Sequence, residues 1–151
     1  EVLNGWRLKA LTDAMTKASP AAPSVEAIVR AYLGPLLTGP HVAESGWKHY
    51  YALIAYVNNS PEWGGKLMTQ FFDPLIRRFI DALRLSLAPV DEKSLYWAYH
   101  CFSGALTLTF AQTGRIDQLS RGLCHSDNLD AAYEHVVQFI TAGFEALKVD
   151  R

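Results

Sequence analysis

The stretch Asp91-Glu92-Lys93-Ser94-Leu95-Tyr96-Trp97-Ala98-Tyr99-His100-Cys101-Phe102-Ser103-Gly104-Ala105-Leu106-Thr107-Leu108-Thr109-Phe110 decides the fold. Ala88-Pro89-Val90 ends whatever precedes it, Asp91 is a natural helix N-cap, and the body from Leu95 to Phe110 is apolar almost all round. A helix of that kind must be buried on two sides. Along it runs a row of small or polar positions, His100, Ser103, Gly104, Thr107 and Ala111, where a second helix axis can come close. After Gly114 a loop with about one turn of helix leads to Asp127, read as the cap of a last helix ending near Lys148. That helix has two apolar rows: Tyr133, Val137, Ile140, Phe144 and Leu147, and Ala132, Val136, Phe139, Gly143 and Ala146.

Upstream of the deciding stretch the apolar positions again recur at three- and four-residue steps. Leu3, Trp6, Ala10, Leu11, Ala14, Met15 and Ala18 predict a first helix, broken by Ser19-Pro20-Ala21-Ala22-Pro23. Ser24 caps a second, with Val25, Ile28, Val29, Tyr32, Leu33 and Leu36 on one face and Gly34-Pro35 expected to kink or end it. Thr38-Gly39-Pro40-His41 reads as a turn, and Trp47, Tyr50, Tyr51, Ile54 and Ala55 as a third, aromatic helix. Ser60 and Pro61 read as cap and first residue of a fourth, whose face from Phe71 to Leu87 contains Pro74 as a kink. The expectation is an all-α chain, residues 1–151 as one domain: an orthogonal or antiparallel bundle of about six helices. Six helices cannot enclose both of the last two on every side, so a second copy is the simplest cover. Two such hairpins would form a four-helix bundle in a homodimer, with His100, Ser103, Gly104, Thr107, Ala111, Val136, Phe139 and Gly143 at the interface. A monomer with ordinary internal packing is the alternative.

The arithmetic agrees with a single core-bearing domain. The chain has 151 residues, 50% apolar and 12% aromatic, and a formal charge of −1 from 14 basic and 15 acidic side chains. That balance gives no basic face for nucleic acid, and the apolar content excludes a disordered chain. Cys101 and Cys124 are too few for a disulfide framework. No apolar run is long enough to span a bilayer and the start has no signal-peptide pattern, so a cytoplasmic, membrane-free location is expected. The first residue is Glu, with a helical pattern beginning at once, which suggests a preceding segment.

The chemistry-bearing residues form no catalytic motif. His100 and Cys101 are neighbours pointing about 100° apart on a helix, and Cys124-His125 stands alone, so neither makes a metal site. There is no GxSxG elbow, Trp63-Gly64-Gly65-Lys66 lacks phosphate-loop spacing, Asn58-Asn59-Ser60 is a chance glycosylation match, and Arg77-Arg78 fits a solvated pair. No catalytic residue, metal or cofactor is expected. What remains is an aromatic surplus, Trp6, Trp47, Tyr50, Tyr51, Phe71, Phe72, Tyr99 and Phe102, spread over four helices. Taken singly each fits ordinary core; as a set they fit the wall of an apolar cavity.

With Tyr32-Leu33-Gly34-Pro35-Leu36, Ser60-Pro61-Glu62, Phe79-Ile80-Asp81-Ala82-Leu83 and Tyr99-His100-Cys101-Phe102-Ser103-Gly104-Ala105-Leu106 in this order, the whole chain resembles the regulatory half of a TetR-family transcriptional repressor. Within that family it is most similar to the PsrA-like, fatty-acid-responsive branch. The resemblance implies a bacterial DNA-binding regulator whose helix-turn-helix lies ahead of this segment, so that the chain alone does not bind operator DNA. It implies a homodimer and no enzyme activity. It also implies a small apolar effector, fatty-acyl or aromatic, that shifts the helix over residues 1–18 and alters DNA binding. By analogy the pocket is lined by Trp6, Trp47, Tyr51, Phe72, Ile76, Tyr99 and Phe102, with Tyr99 or His100 as polar orienter. A small helical enzyme acting on an apolar substrate, or a ligand-free dimeric interaction module, are the competing readings.

Overall fold

Ser24 accepts a hydrogen bond from the amide of Ala27 and opens the helix around which the others pack. In the computed structural model, which describes residues 2–39, 42, 45–62 and 64–148, this helix is α2 (Val25–Leu37). Before it lies α1 (Val2–Ala18); after it come α3 (Ser45–Asn58), α4 (Gly64–Phe71), α5 (Asp73–Leu87), α6 (Glu92–Ala111), α7 (Arg115–Leu119) and α8 (Leu129–Glu145). The described residues are helical or irregular, an all-α bundle as the periodicity requires.

α2 is buried on several sides: Val25, Ile28, Val29, Leu33 and Leu37 are closed off from solvent by α1, α5 and α8. α5 adds Leu75, Phe79, Leu83 and Leu87 to that core, and α8 adds Val137, Ile140 and Phe144. α6 joins through Leu95, Phe102, Leu106 and Phe110, packing on α3 and α8. Tyr32 couples the layers, its ring 4.9 Å from Phe79 on α5 and 4.8 Å from Phe102 on α6, both in edge or tilted geometry. At the rim, Arg30 of α2 grips Glu134 of α8 with two hydrogen bonds of 3.0 Å.

The described residues form eight helices rather than about six, because one expected helix is split in two and one expected turn is a helix. The long fourth helix is two helices broken at Phe72, with Pro74 in the first turn of α5, where its missing N–H has no intrahelical partner to lose. Its expected start at Ser60-Pro61 is a turn instead, and α4 begins at Gly64. A Cβ at Gly64 would lie 2.0 Å from the Val57 carbonyl oxygen, so the chain doubles back on the end of α3 where only glycine fits. The expected turn after Gly114 is α7. Two boundaries also move. α2 runs through Pro35 to Leu37, with the Thr38 amide and hydroxyl both donating to the Gly34 carbonyl. The cap of α8 is Asn128, which accepts from the Ala131 amide, not Asp127. Pro40 and His41 of the expected turn, Trp63 of the glycine motif and Glu1 lie outside the described residues.

The two apolar rows of α8 separate as their spacing dictates. Val137, Ile140 and Phe144 face the core, whereas Phe139 is 74% exposed beside open Gly143. On α6 the side opposite the core leaves Tyr96, Trp97 and Leu108 exposed, the last at 66%. An apolar face therefore runs along α6 and α8 with none of the described residues over it.

Candidate functional site

A pocket opens where α1 leans across the open end of α3 to α6. Leu3, Asn4 and Arg7 of α1 form one wall, and Tyr32 and Leu36 of α2 lie at its base. Tyr50, Tyr51, Ile54 and Asn58 of α3 face Met68, Phe72 and Ile76 around the break between α4 and α5. α6 completes the ring with Tyr99, Ser103, Leu106, Thr107 and Phe110. The empty space is about 530 Å³, part of it solvent at the mouth, and its closed part has room for only a few waters.

The α1 wall follows from its sequence. Leu3, Arg7 and Leu11 are four residues apart and are the buried positions of the helix. Arg7 is thus drawn inward, 2% exposed, its guanidinium carbon 3.7 Å from the centre of the Tyr32 ring and 6.0 Å from that of Phe79. Its Nη1 reaches Asn4 Oδ1 at 3.4 Å, while Nε and Nη2 are buried without a hydrogen-bond partner. Asn4 in turn donates to the Phe71 carbonyl at 2.9 Å, tying α1 to the end of α4.

The remaining polar groups are mostly engaged. Asn58 donates to Thr107 Oγ1 at 2.8 Å and Ser103 Oγ at 3.3 Å, joining α3 to α6. Tyr51 donates its hydroxyl to the Leu36 carbonyl and stacks on Phe110 at 4.5 Å. Burial pushes the Tyr51 hydroxyl up to about 12, with Tyr50 adding to it. Tyr99 is held well above the usual phenol range by burial first and by Tyr32 second, and Tyr50 is raised by burial. At Tyr50 and Tyr99 the Arg7 charge works the other way. The pocket is therefore a set of neutral hydroxyls and apolar walls around one cation.

Of the seven residues expected to line a pocket, Tyr51, Phe72, Ile76 and Tyr99 meet around this one. Trp6 is 43% exposed on the outer side of α1. Trp47 stands one layer back, against Tyr50 and Tyr51, and Phe102 is sealed between Tyr32, Tyr99 and Phe144. His100 is on the outer face of α6 beside Trp97, so Tyr99 is the one of the two expected orienters that reaches the pocket. Among the positions expected at a dimer face, His100, Gly104, Phe139 and Gly143 are exposed, Ala111 and Val136 are half-buried, and Ser103 and Thr107 turn inward to Asn58.

Arg7, Asn58, Met68 and Leu106 were not anticipated as lining. For Arg7 the signal was present: a charged residue interrupts the four-residue row Leu3, Arg7, Leu11 on an otherwise apolar stripe. Cys101 and Cys124 are both exposed free thiols, and no group of three or more His, Cys, Asp or Glu side chains is gathered for a metal among the described residues. Among them, too, no helix is long and apolar enough to cross a membrane.

A search of curated proteins found no match to the chain. Residues 30–143, about three quarters of its length, match the family described as "Tetracyclin repressor-like, C-terminal domain". That span takes in most of α2 and everything through most of α8, so the pocket walls from α2 to α6 and the exposed α6–α8 face all lie inside it. The chain belongs to the tetracycline-repressor-like C-terminal domain family.

Proposed function

We propose that residues 1–151 act as the effector-binding and dimerisation domain of a bacterial, cytoplasmic TetR-like repressor. In this reading a small ligand in the pocket shifts α1 and so changes operator binding by a helix-turn-helix carried ahead of it. The role is binding rather than catalysis. One observation carries the reading: the pocket is closed on one side by α1, which is tied to the rest of the ring through Asn4 and Phe71. A ligand there favours one position of α1 over another only if it binds the two unequally, and contacts from Leu3, Asn4 and Arg7 supply that difference.

Dimerisation is supported by the exposed face of α6 and α8, where Trp97, Leu108 and Phe139 stand open to solvent. Gly104 and Gly143 lie on the same helices with nothing within 4 Å of an added Cβ, so helices of a second copy can pack closely there. The contact would be isologous, a four-helix bundle from two hairpins.

Native mass spectrometry tests both halves. The wild-type chain should run as a dimer that takes up one ligand per protomer from a panel of medium-chain fatty acids and simple aromatic compounds. Gly104→Arg, at a position where an added Cβ meets nothing within 4 Å, should run as monomer. A dimer unchanged by Gly104→Arg removes this face from the interface, and a wild type that takes up nothing favours a ligand-free interaction module.

A further inference from the structure

We propose that the pocket is a site for an organic monoanion, a free carboxylate on a compact apolar body, with Arg7 as the residue that receives the carboxylate. The proposal rests on the effector-binding reading and adds the chemical class of the ligand. Arg7 is 2% exposed and two of its three nitrogens, Nε and Nη2, have no partner. A guanidinium keeps its charge inside a protein, and an isolated buried cation is among the most costly groups a fold can carry. Native structures answer such a charge with an acid, yet none of the residues lining this pocket is acidic.

What Arg7 does have is the face of Tyr32, whose ring centre is 3.7 Å from its guanidinium carbon. Stacking satisfies the face of a guanidinium and leaves its edge, a planar fork of donors matched to the two oxygens of a carboxylate. Arg7 lines a cavity that otherwise combines apolar side chains, Phe72, Ile76, Leu106 and Phe110, with neutral polar ones. One cation without a second basic residue in the lining balances one negative charge, which favours a carboxylate over a phosphate dianion. The small closed volume favours a single ring or a short chain over a long one. Esters, amides and thioesters of the same acids would leave the Arg7 charge as unanswered as an empty pocket does. Arg7 also lies outside residues 30–143, so this feature belongs to the part of the chain that the family match does not cover.

The test is calorimetric titration of the 151-residue chain at pH 7 with phenylacetate and octanoate, each set against its neutral amide. Wild type should bind at least one acid on the order of ten- to a hundredfold more tightly than its amide, the range expected for charge-assisted hydrogen bonds. Arg7→Met should lose that preference while Arg7→Lys keeps part of it. Amides that bind wild type as tightly as the acids overturn the proposal and leave the effector pocket standing. Retention of the acid preference by folded Arg7→Met also overturns it. Should neither acids nor amides bind, the proposal and the effector reading fall together. If Arg7→Met does not fold, the wild-type acid-to-amide ratio and Arg7→Lys decide.

Discussion

Arg7 and Gly64 show how single positions carry information that helical periodicity does not. At Arg7 the stripe Leu3, Arg7, Leu11 dictated burial, and it won over the preference of a charged side chain for water because the Tyr32 ring offers a face to stack on. An expectation built from aromatic content selected Trp6, one position away and on the solvent side. Gly64 is the reverse case, an ordinary glycine in the sequence whose necessity is visible only once α4 is seen against the Val57 carbonyl. Gly64→Ala should lower stability by about 1–3 kcal/mol, since backbone must move to admit the methyl group. Neighbouring Gly65→Ala, with nothing within 4 Å, should be neutral or stabilising by up to about 1 kcal/mol. Urea midpoints of the two variants measure the contrast; equal midpoints would mean that the close approach relaxes without cost.

At the scale of elements, the helices themselves were legible because amphipathic spacing, Ser24 and Asp91 act within a few residues of one another. The boundaries were less so. Pro74 reads equally well as a kink in one helix or as the first turn of a second, and the choice falls to how α4 and α5 pack, which no local pattern encodes. Asp127 and Asn128 are both good caps, and one residue of register decides between them. The clamp between Arg30 on α2 and Glu134 on α8 joins elements about a hundred residues apart and has a pH signature. Hydrogen bonding to Arg30 holds the Glu134 carboxyl below its ordinary range. Its contribution is therefore fully present above the unfolded-state value of about 4.3 and is lost as pH falls through the lowered folded-state value. Glu134→Gln should narrow the difference in urea midpoint between pH 7 and pH 3; an unchanged difference would assign the acid sensitivity to other carboxylates.

For the whole molecule, the apolar character of Leu95–Phe110 almost all round predicts cover beyond a small bundle, and the structure leaves Trp97 and Leu108 of α6 and Phe139 of α8 open. The pocket was legible only as a surplus of rings, because which of them face one another depends on how α1, α3 and α6 cross. Phe102, expected in the pocket wall as one of the surplus rings, packs into the Tyr32 and Phe144 layer and belongs to the core. The central position of α2 has a further consequence for motion. Leu33 and Leu37 are fully closed off, with α1, α5 and α8 around them, so the amides of that helix can meet solvent only when the bundle comes apart. Hydrogen–deuterium exchange should show α2 protected to the level of global unfolding, while α7, whose Leu119 is exposed, exchanges through local opening. In the proposed effector response α1 would then act as a lever resting on a helix that does not yield, carrying a displacement at one of its ends towards the other.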